Sequence, residues 1–304
     1  MKSSVIGLIG CGLWGRNILR ELTFLQAQVH VFDPDENVRK FASENGAAGT
    51  HSSLEASPEV DGYILSTPAS LHRSHIEVLS SFGKPIFTEK PFVLNMEDAQ
   101  YIRSLGGPPV FVMHVWRYHP AIQEIKEMIA SGEIGELELI RTRRFNWTSP
   151  RIDVDPVWTL LPHDISIFAE LTGKVPHAVY AKAELCAGHP VGMLAVTEST
   201  CPCVAEVSTR YSEKVREVRL QGSQGTAVLQ GDGAQITLNL GDRFSTQPET
   251  RTIRVLEEPA LRREIATFLD FLQGGPDPKT SLKEAVDITR CLTDLRTAAG
   301  LTAN

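Results

Sequence analysis

Short uninterrupted apolar runs, separated by longer amphipathic stretches, organise the first third of the chain. Val5 to Ile9, Val29 to Phe32, Gly62 to Leu65, Pro85 to Phe87 and Val110 to His114 predict strands. Leu13 to Leu25, Val38 to Asn45, Leu71 to Phe82 and Asn95 to Leu105 predict helices, the last capped by Asn95 with Asp98 three residues on. Strands too short to alternate, each followed by a helix, are the pattern of a parallel sheet covered on both faces. After a helix from about Pro120 to Ala130 the pattern changes. Segments 136–145, 178–185, 193–199, 204–211, 215–220, 226–230, 235–239 and 252–256 read as extended, several alternating apolar and polar residues as a half-exposed antiparallel sheet does. Between the first two lie an Asp- and Trp-rich loop and a helix from Asp164 to Leu171. Two helices follow, about Ala260 to Gln273 and Ser281 to Ala299, joined by Gly274-Gly275-Pro276-Asp277-Pro278.

Composition narrows the class. The 304 residues suggest two domains. Hydrophobic residues make up 42% and charged residues 22%, which excludes a disordered chain. The net charge is −7, and no basic block stands out beyond Arg141-Thr142-Arg143-Arg144, so nucleic acid is not an expected partner. No apolar run reaches the length of a membrane span. The run Val5 to Ile9 behind Lys2 is too short for a secretion signal. Five scattered cysteines, at 11, 186, 201, 203 and 291, suit a reducing compartment better than a disulfide framework. A cytoplasmic location is expected. His72 with His75, and His114 with His119, lack the further ligands that a metal site needs, so no metal is expected.

Gly10-Cys11-Gly12-Leu13-Trp14-Gly15 lies between a predicted strand and a predicted helix. Gly10 and Gly12 let the backbone turn and approach a pyrophosphate, Gly15 allows close packing, and the helix N-terminus offers free N–H groups. Asp33 ends the second strand, about 20 residues on, where a carboxylate accepts from ribose hydroxyls. A 2′-phosphate beside Asp33 would cost on the order of a few kcal/mol of repulsion. The following residues are Pro34, Asp35, Glu36 and Asn37, so NAD is preferred to NADP unless Arg39 swings round to relieve the charge.

Three further segments carry a resemblance. Thr67-Pro68-Ala69-Ser70-Leu71-His72, then Gly83-Lys84-Pro85-Ile86-Phe87-Thr88-Glu89-Lys90-Pro91, then Arg117-Tyr118-His119-Pro120-Ala121 leading into Ser131-Gly132-Glu133-Ile134-Gly135, resemble the Gfo/Idh/MocA oxidoreductases. Trp158 to Ser166 is similar to that family's second catalytic segment, in a branch associated with nucleotide-linked sugars. The resemblance implies that Gly10, Gly12, Leu13 and Trp14 hold the pyrophosphate, and that Thr67, Pro68 and His72 line the cofactor. It places Glu89 and Lys90 near the nicotinamide, with a cis bond between Lys90 and Pro91. Lys90 would hydrogen-bond the substrate oxygen, and His163 would exchange the proton. Such groups suit the chemistry: hydride leaves a carbinol carbon only as its hydroxyl loses a proton, histidine is a base near physiological pH, and an ammonium stabilises a developing alkoxide.

The expected fold is therefore α/β: a dinucleotide-binding Rossmann-type parallel sheet in residues 1–118, and in residues 119–304 a substrate-binding and oligomerisation domain with a large, mostly antiparallel open sheet. The expected activity is NAD-dependent interconversion of a secondary hydroxyl and a ketone on a sugar, nucleotide sugar or cyclitol. One position departs from the family. Four residues before His163 the usual Asp is Thr159, which cannot act as a base at neutral pH; Asp153, Asp155 or Tyr118 are the neighbours that could substitute. The departure keeps open a regulatory dinucleotide-binding relative, and an imine-type reductase on the same fold is a second alternative. For the substrate, Arg141, Arg143, Arg144, Asn146, Trp147, Arg151 and Trp158 are candidates, although Arg144 must point away from the face shared by Arg141 and Arg143. An open sheet with one apolar face also predicts a homodimer or homotetramer joined through it.

Overall fold

A computed structural model describes residues 3–54, 58–147, 154–241, 244 and 246–301. The chain divides into two compact units, Met1–Val115 with Pro259–Thr289, and Trp116–Glu258 with Arg290–Asn304. Among the described residues the first unit runs β1 (Val5–Ile9), α1 (Gly15–Phe24), β2 (Gln28–Phe32), α2 (Glu36–Glu44), β3 (Gly49–His51), β4 (Gly62–Leu65), α3 (His72–Ser80), β5 (Ile86–Thr88), α4 (Met96–Leu105) and β6 (Val110–Val112). Its strands form one parallel sheet in the order β3-β2-β1-β4-β5-β6. That order reverses beside β1, which in sheets of this kind opens a crevice at the carboxyl ends of the strands. Asn95 caps α4 as expected, its side chain accepting from the Asp98 N–H at 2.8 Å. Asp35 caps α2 in the same way. β3 has no apolar pattern of its own; it exists through its register with β2, His30 opposite Gly49 and Phe32 opposite His51.

The second unit contains α5 (Pro120–Ser131), β7 (Leu137–Trp147), α6 (Pro156–Thr159), α7 (Leu161–Thr172), β8 (His177–Cys186), β9 (His189–Glu198), β10 (Pro202–Ser208), β11 (Arg210–Gly222), β12 (Gly225–Gln230), β13 (Gln235–Leu240) and β14 (Glu249–Arg254). These strands make an eight-stranded sheet, β14-β13-β12-β11-β7-β10-β9-β8, antiparallel except where β10 runs parallel to β7. The expected strand 204–211 is in fact broken at Thr209, where β10 ends and β11 begins. α8 (Ala260–Leu272) returns to the first unit, where Ile265 and Phe268 join the core of Ile6, Leu8 and Ile18. The division between units falls inside α9 (Leu282–Ala298).

Alternation along the large sheet buries one face: Ile140, Ala205, Val218 and Leu238 are each 2% exposed or less. The open face carries both charged and apolar side chains. Its register places Lys182, Leu194, Glu206, Arg143, Glu217 and Gln230 side by side, a row of largely alternating charge. The neighbouring row of the same face is Tyr180, Val196, Val204, Arg141, Arg219 and Val228, with Tyr180 53% exposed and the three valines partly exposed. Among the described residues, no helix is long and apolar enough to cross a membrane.

Candidate functional site

The glycine loop after β1 is shaped for close approach. Gly10 has φ +84°, and a Cβ there would lie 2.9 Å from the Ser66 carbonyl oxygen. A Cβ on Gly15 would lie 2.5 Å from the Gly10 carbonyl oxygen, whereas one on Gly12 would meet nothing within 4 Å. Gly12 thus borders open space at the start of α1, and no side chain caps that helix terminus. Leu13 is 88% exposed and Trp14 45%. Such a backbone, with a helix dipole behind it, is able to accept an anion.

Asp33 stands beside the loop. One carboxylate oxygen accepts from the Cys11 N–H at 2.9 Å and the other from the Asp35 N–H at 3.0 Å. The Asp33 N–H is held by the His51 carbonyl on β3, so the edge strand that the sequence does not announce positions this residue. The Arg39 guanidinium donates through Nη1 to the main-chain carbonyls of Asp33 and Pro34, each at 2.8 Å. Burial, followed by the Asp33 charge, pushes the Cys11 thiol up to about 11, so it is a neutral thiol.

The loops after β4 and β5 are tied to each other. His72 is wholly buried, with Nε2 3.0 Å from the Thr67 carbonyl and Nδ1 3.0 Å from the Phe92 carbonyl. A neutral imidazole carries one N–H, so it donates to one of the two. Burial pushes the His72 pKa down, toward that neutral form. The Thr67 hydroxyl meets His75 Nδ1 at 3.1 Å, and the Pro68 carbonyl accepts from Leu71 N–H in the turn before α3. Glu89 is buried, its carboxylate accepting from the indole N–H of Trp14 and from the Lys90 N–H. Desolvation raises its pKa, with the Lys90 charge opposing. Lys90 is half-buried, and the Lys90–Pro91 bond is cis, as the resemblance implies.

In the second unit, His163 lies half-buried in the first turn of α7. Its carbonyl accepts from the Ser166 hydroxyl at 2.8 Å. The next residue, Asp164, is 1% exposed and takes two bonds from Arg144, at 3.0 and 3.2 Å, while Arg144 also lies over the Trp116 ring at 4.8 Å. Further along α7, Glu170 accepts from Arg117 at 2.9 Å and Lys126 at 2.8 Å. The sequence reading missed both pairs; the one signal for the first was that Arg144 breaks phase with Arg141 and Arg143. Asp155 caps α6 and is ion-paired with Arg296, so it is already engaged. The Thr159 hydroxyl donates to the Asp155 carbonyl at 3.3 Å.

The substrate candidates scatter. Arg141 and Arg143 lie on the open face of the sheet, Arg144 is internal, and Trp158 is 1% exposed. Trp147 is exposed beneath Arg210, 4.9 Å from its guanidinium carbon. The Asn146 side-chain oxygen accepts from Arg216 at 3.3 Å. Arg151 and Asp153 lie outside the described residues. Among the described residues, no cluster of three or more His, Cys, Asp or Glu side chains could hold a metal.

Comparison with known proteins gives the family. Residues 5–105 match the oxidoreductase family with an NAD-binding Rossmann fold, and residues 122–228 match the GFO/IDH/MocA C-terminal domain. The chain belongs to the Gfo/Idh/MocA oxidoreductase family. One relative is the UDP-N-acetylglucosamine 3-dehydrogenase of Acidithiobacillus ferrooxidans, 29% identical over 197 residues. That match takes in 63% of this chain and 59% of the relative, so the chain spans less than two thirds of that relative's length. The solved structure of a UDP-N-acetylglucosamine 3-dehydrogenase from the same organism superposes with a TM-score of 0.86 at 22% identity, covering 98% of each chain. Levoglucosan dehydrogenase in complex with NADH and levoglucosan superposes at 0.85 with 15% identity, again over 98% of each chain. At those identities the family members share the fold.

Proposed function

We propose that the protein is an NAD-dependent oxidoreductase that interconverts a secondary hydroxyl and a ketone on a sugar, nucleotide sugar or cyclitol. The observation that carries this reading is the pairing of an open, uncapped α1 terminus at Gly12 with the Asp33 carboxylate fixed beside it. These residues fit a dinucleotide. Main-chain N–H groups from Gly12 to Trp14 would hold the pyrophosphate, and Asp33 the ribose hydroxyls. Thr67 and Pro68 would border the nicotinamide, with His72 fixing their loop from beneath. When bound, the cofactor supplies the hydride acceptor or donor at its nicotinamide ring. NAD is preferred to NADP because the Asp33 carboxylate would repel a 2′-phosphate and Arg39, the cation near it in sequence, is engaged with two main-chain carbonyls.

Within the first unit, Lys90 is assigned to the substrate oxygen, donating from its ammonium as negative charge develops there. Within the second, His163 is assigned to proton exchange, with α7 held by its buried ion pairs. The relatives that act on UDP-N-acetylglucosamine and levoglucosan support a sugar-like substrate. The apolar strip Tyr180, Val196 and Val204 on the open sheet face supports self-association across it as a dimer or tetramer, which light scattering would measure.

The test is nicotinamide absorbance with NAD and NADP against a panel of nucleotide sugars, free sugars and cyclitols. Lys90→Ala is expected to lower turnover by about 10²–10⁴-fold. Full turnover in that variant removes Lys90 from the chemistry. Thr159, lacking a carboxylate, favours a second reading, a regulatory relative that binds the dinucleotide without transferring hydride. NAD binding with silence across the whole panel is its signature.

A further inference from the structure

The side chain of Trp14 has no part in a main-chain anion site, because the glycine loop offers its N–H groups whatever that side chain is. Yet the residue is a half-exposed tryptophan at the mouth of α1, and its one polar atom is spent on Glu89, 75 residues away in sequence. Glu89 is fixed at both ends. Its N–H is held by the Leu65 carbonyl at the end of β4, at 2.8 Å, and its carboxylate bridges the Trp14 indole and the Lys90 N–H, the latter at 3.0 Å. The carboxylate is buried, so each donor it keeps is costly to lose. One continuous path therefore leads from the glycine loop through an indole and a carboxylate to the backbone of Lys90. Beside this path, Thr88 donates a longer bond, 3.4 Å, to the Glu89 carbonyl.

We propose that Trp14 and Glu89 are positioning residues that couple occupation of the glycine loop by the dinucleotide to the placement of Lys90. This rests on the dinucleotide reading of the loop, and gains its use from the role assigned to Lys90. Filling the loop fixes Trp14, Trp14 fixes the Glu89 carboxylate, and the carboxylate fixes the main chain from which the Lys90 ammonium projects. Neither residue touches the reacting atoms in this scheme. Its consequence is that a bound dinucleotide and an ordered lysine arrive together.

The test reads Lys90 directly and needs no substrate. The full chain is pulse-labelled with acetic anhydride, with and without saturating NAD, and each lysine's acetylation rate is measured by mass spectrometry. Lys84, in the same unit with its side chain 37% exposed, is the internal reference. NAD is expected to change the Lys90 rate by at least about fivefold and to leave Lys84 unchanged. In Trp14→Phe, which keeps an aromatic ring but loses the donor, the response is expected to shrink below about twofold although equilibrium dialysis still shows NAD bound. Glu89→Gln is expected to behave alike, and the double variant no worse than the stronger single one. Should Glu89→Gln not fold, Trp14→Phe decides alone, since that side chain is half exposed. A full response in Trp14→Phe with NAD bound shows simple shielding of Lys90 by the ligand and overturns the coupling. So does an unchanged Lys90 rate in the wild type with NAD bound. Failure of NAD to bind at all overturns the dinucleotide reading first, and the coupling with it. Turnover retained in Lys90→Ala would instead remove the chemical role of Lys90 while leaving the labelling result intact.

Discussion

In the first unit the groups proposed to meet the dinucleotide are mostly main-chain ones: N–H groups at the mouth of α1, reached past glycines. Of the side chains there, His72 acts by fixing other main-chain groups, and Asp33 does so too while remaining the carboxylate proposed for the ribose. The second unit is built otherwise. Around α7 it buries charged side chains in pairs, Arg144 with Asp164 and Arg117 with Glu170. A backbone site depends on the shape of a short stretch of chain. A paired-charge site depends on partners far apart in sequence, each costly without the other.

The largest expected effect follows from that cost. Arg144→Ala leaves Asp164 buried without its partner and is expected to lower stability by about 3–5 kcal/mol in urea denaturation. Arg143→Ala, on the open face with a 3.7 Å contact to Glu206, is expected to cost no more than about 1 kcal/mol. Equal losses in the two variants would erase the distinction drawn for the second unit. Replacing Arg144 and Asp164 together by Met and Leu is expected to recover much of the loss, because no unpaired charge remains.

The first unit separates stability from binding by position alone. Gly15→Ala drives a methyl group against the Gly10 carbonyl and is expected to cost about 1–3 kcal/mol. Gly12→Ala meets no protein atom, so its stability should stay within about 0.5 kcal/mol of wild type. Its methyl group would occupy the space assigned to the pyrophosphate, and NAD affinity is expected to fall at least about tenfold, roughly 1.4 kcal/mol by calorimetry. Undiminished NAD affinity in Gly12→Ala would move the ligand away from this loop.

This contrast also explains what could be read from the sequence. The glycine loop, Asp33 and the alternating strands and helices are local patterns, and each was legible because its physics is contained in a few consecutive residues. The lone strand β3 was not, since Gly49-Thr50-His51 becomes a strand only by pairing with β2. Nor was the partner of Arg144: alternation showed that it pointed away from Arg141 and Arg143, but not that Asp164 waited there. The make-up of the large sheet's open face was legible only in part for a related reason. Alternation tells which residues share a face, but not that one open-face row would set Glu206, Arg143 and Glu217 side by side and the next Tyr180, Val196 and Val204. Likewise an amphipathic helix such as α8 declares that it has a buried side without declaring which unit supplies the cover.

The smallest expected effect tests whether the first unit's rule holds for its most buried histidine. His72 joins the Thr67 and Phe92 carbonyls, so its contribution should depend on its staying neutral. Burial depresses its folded-state pKa; the unfolded chain takes up the proton first as pH falls through about 6.5. The stability His72 contributes is therefore present above that value and is lost as pH drops toward the folded pKa. His72→Gln should accordingly lie furthest below wild type in Tm at mildly alkaline pH, and the gap should narrow on acidification. His75, whose pKa burial also depresses, titrates in both proteins and cancels from the difference to first order. A gap that widens as pH falls would mean that the imidazolium is the form clasping both carbonyls. The loop that carries Thr67 and Pro68 would then be held by a buried charge, in the manner of the second unit.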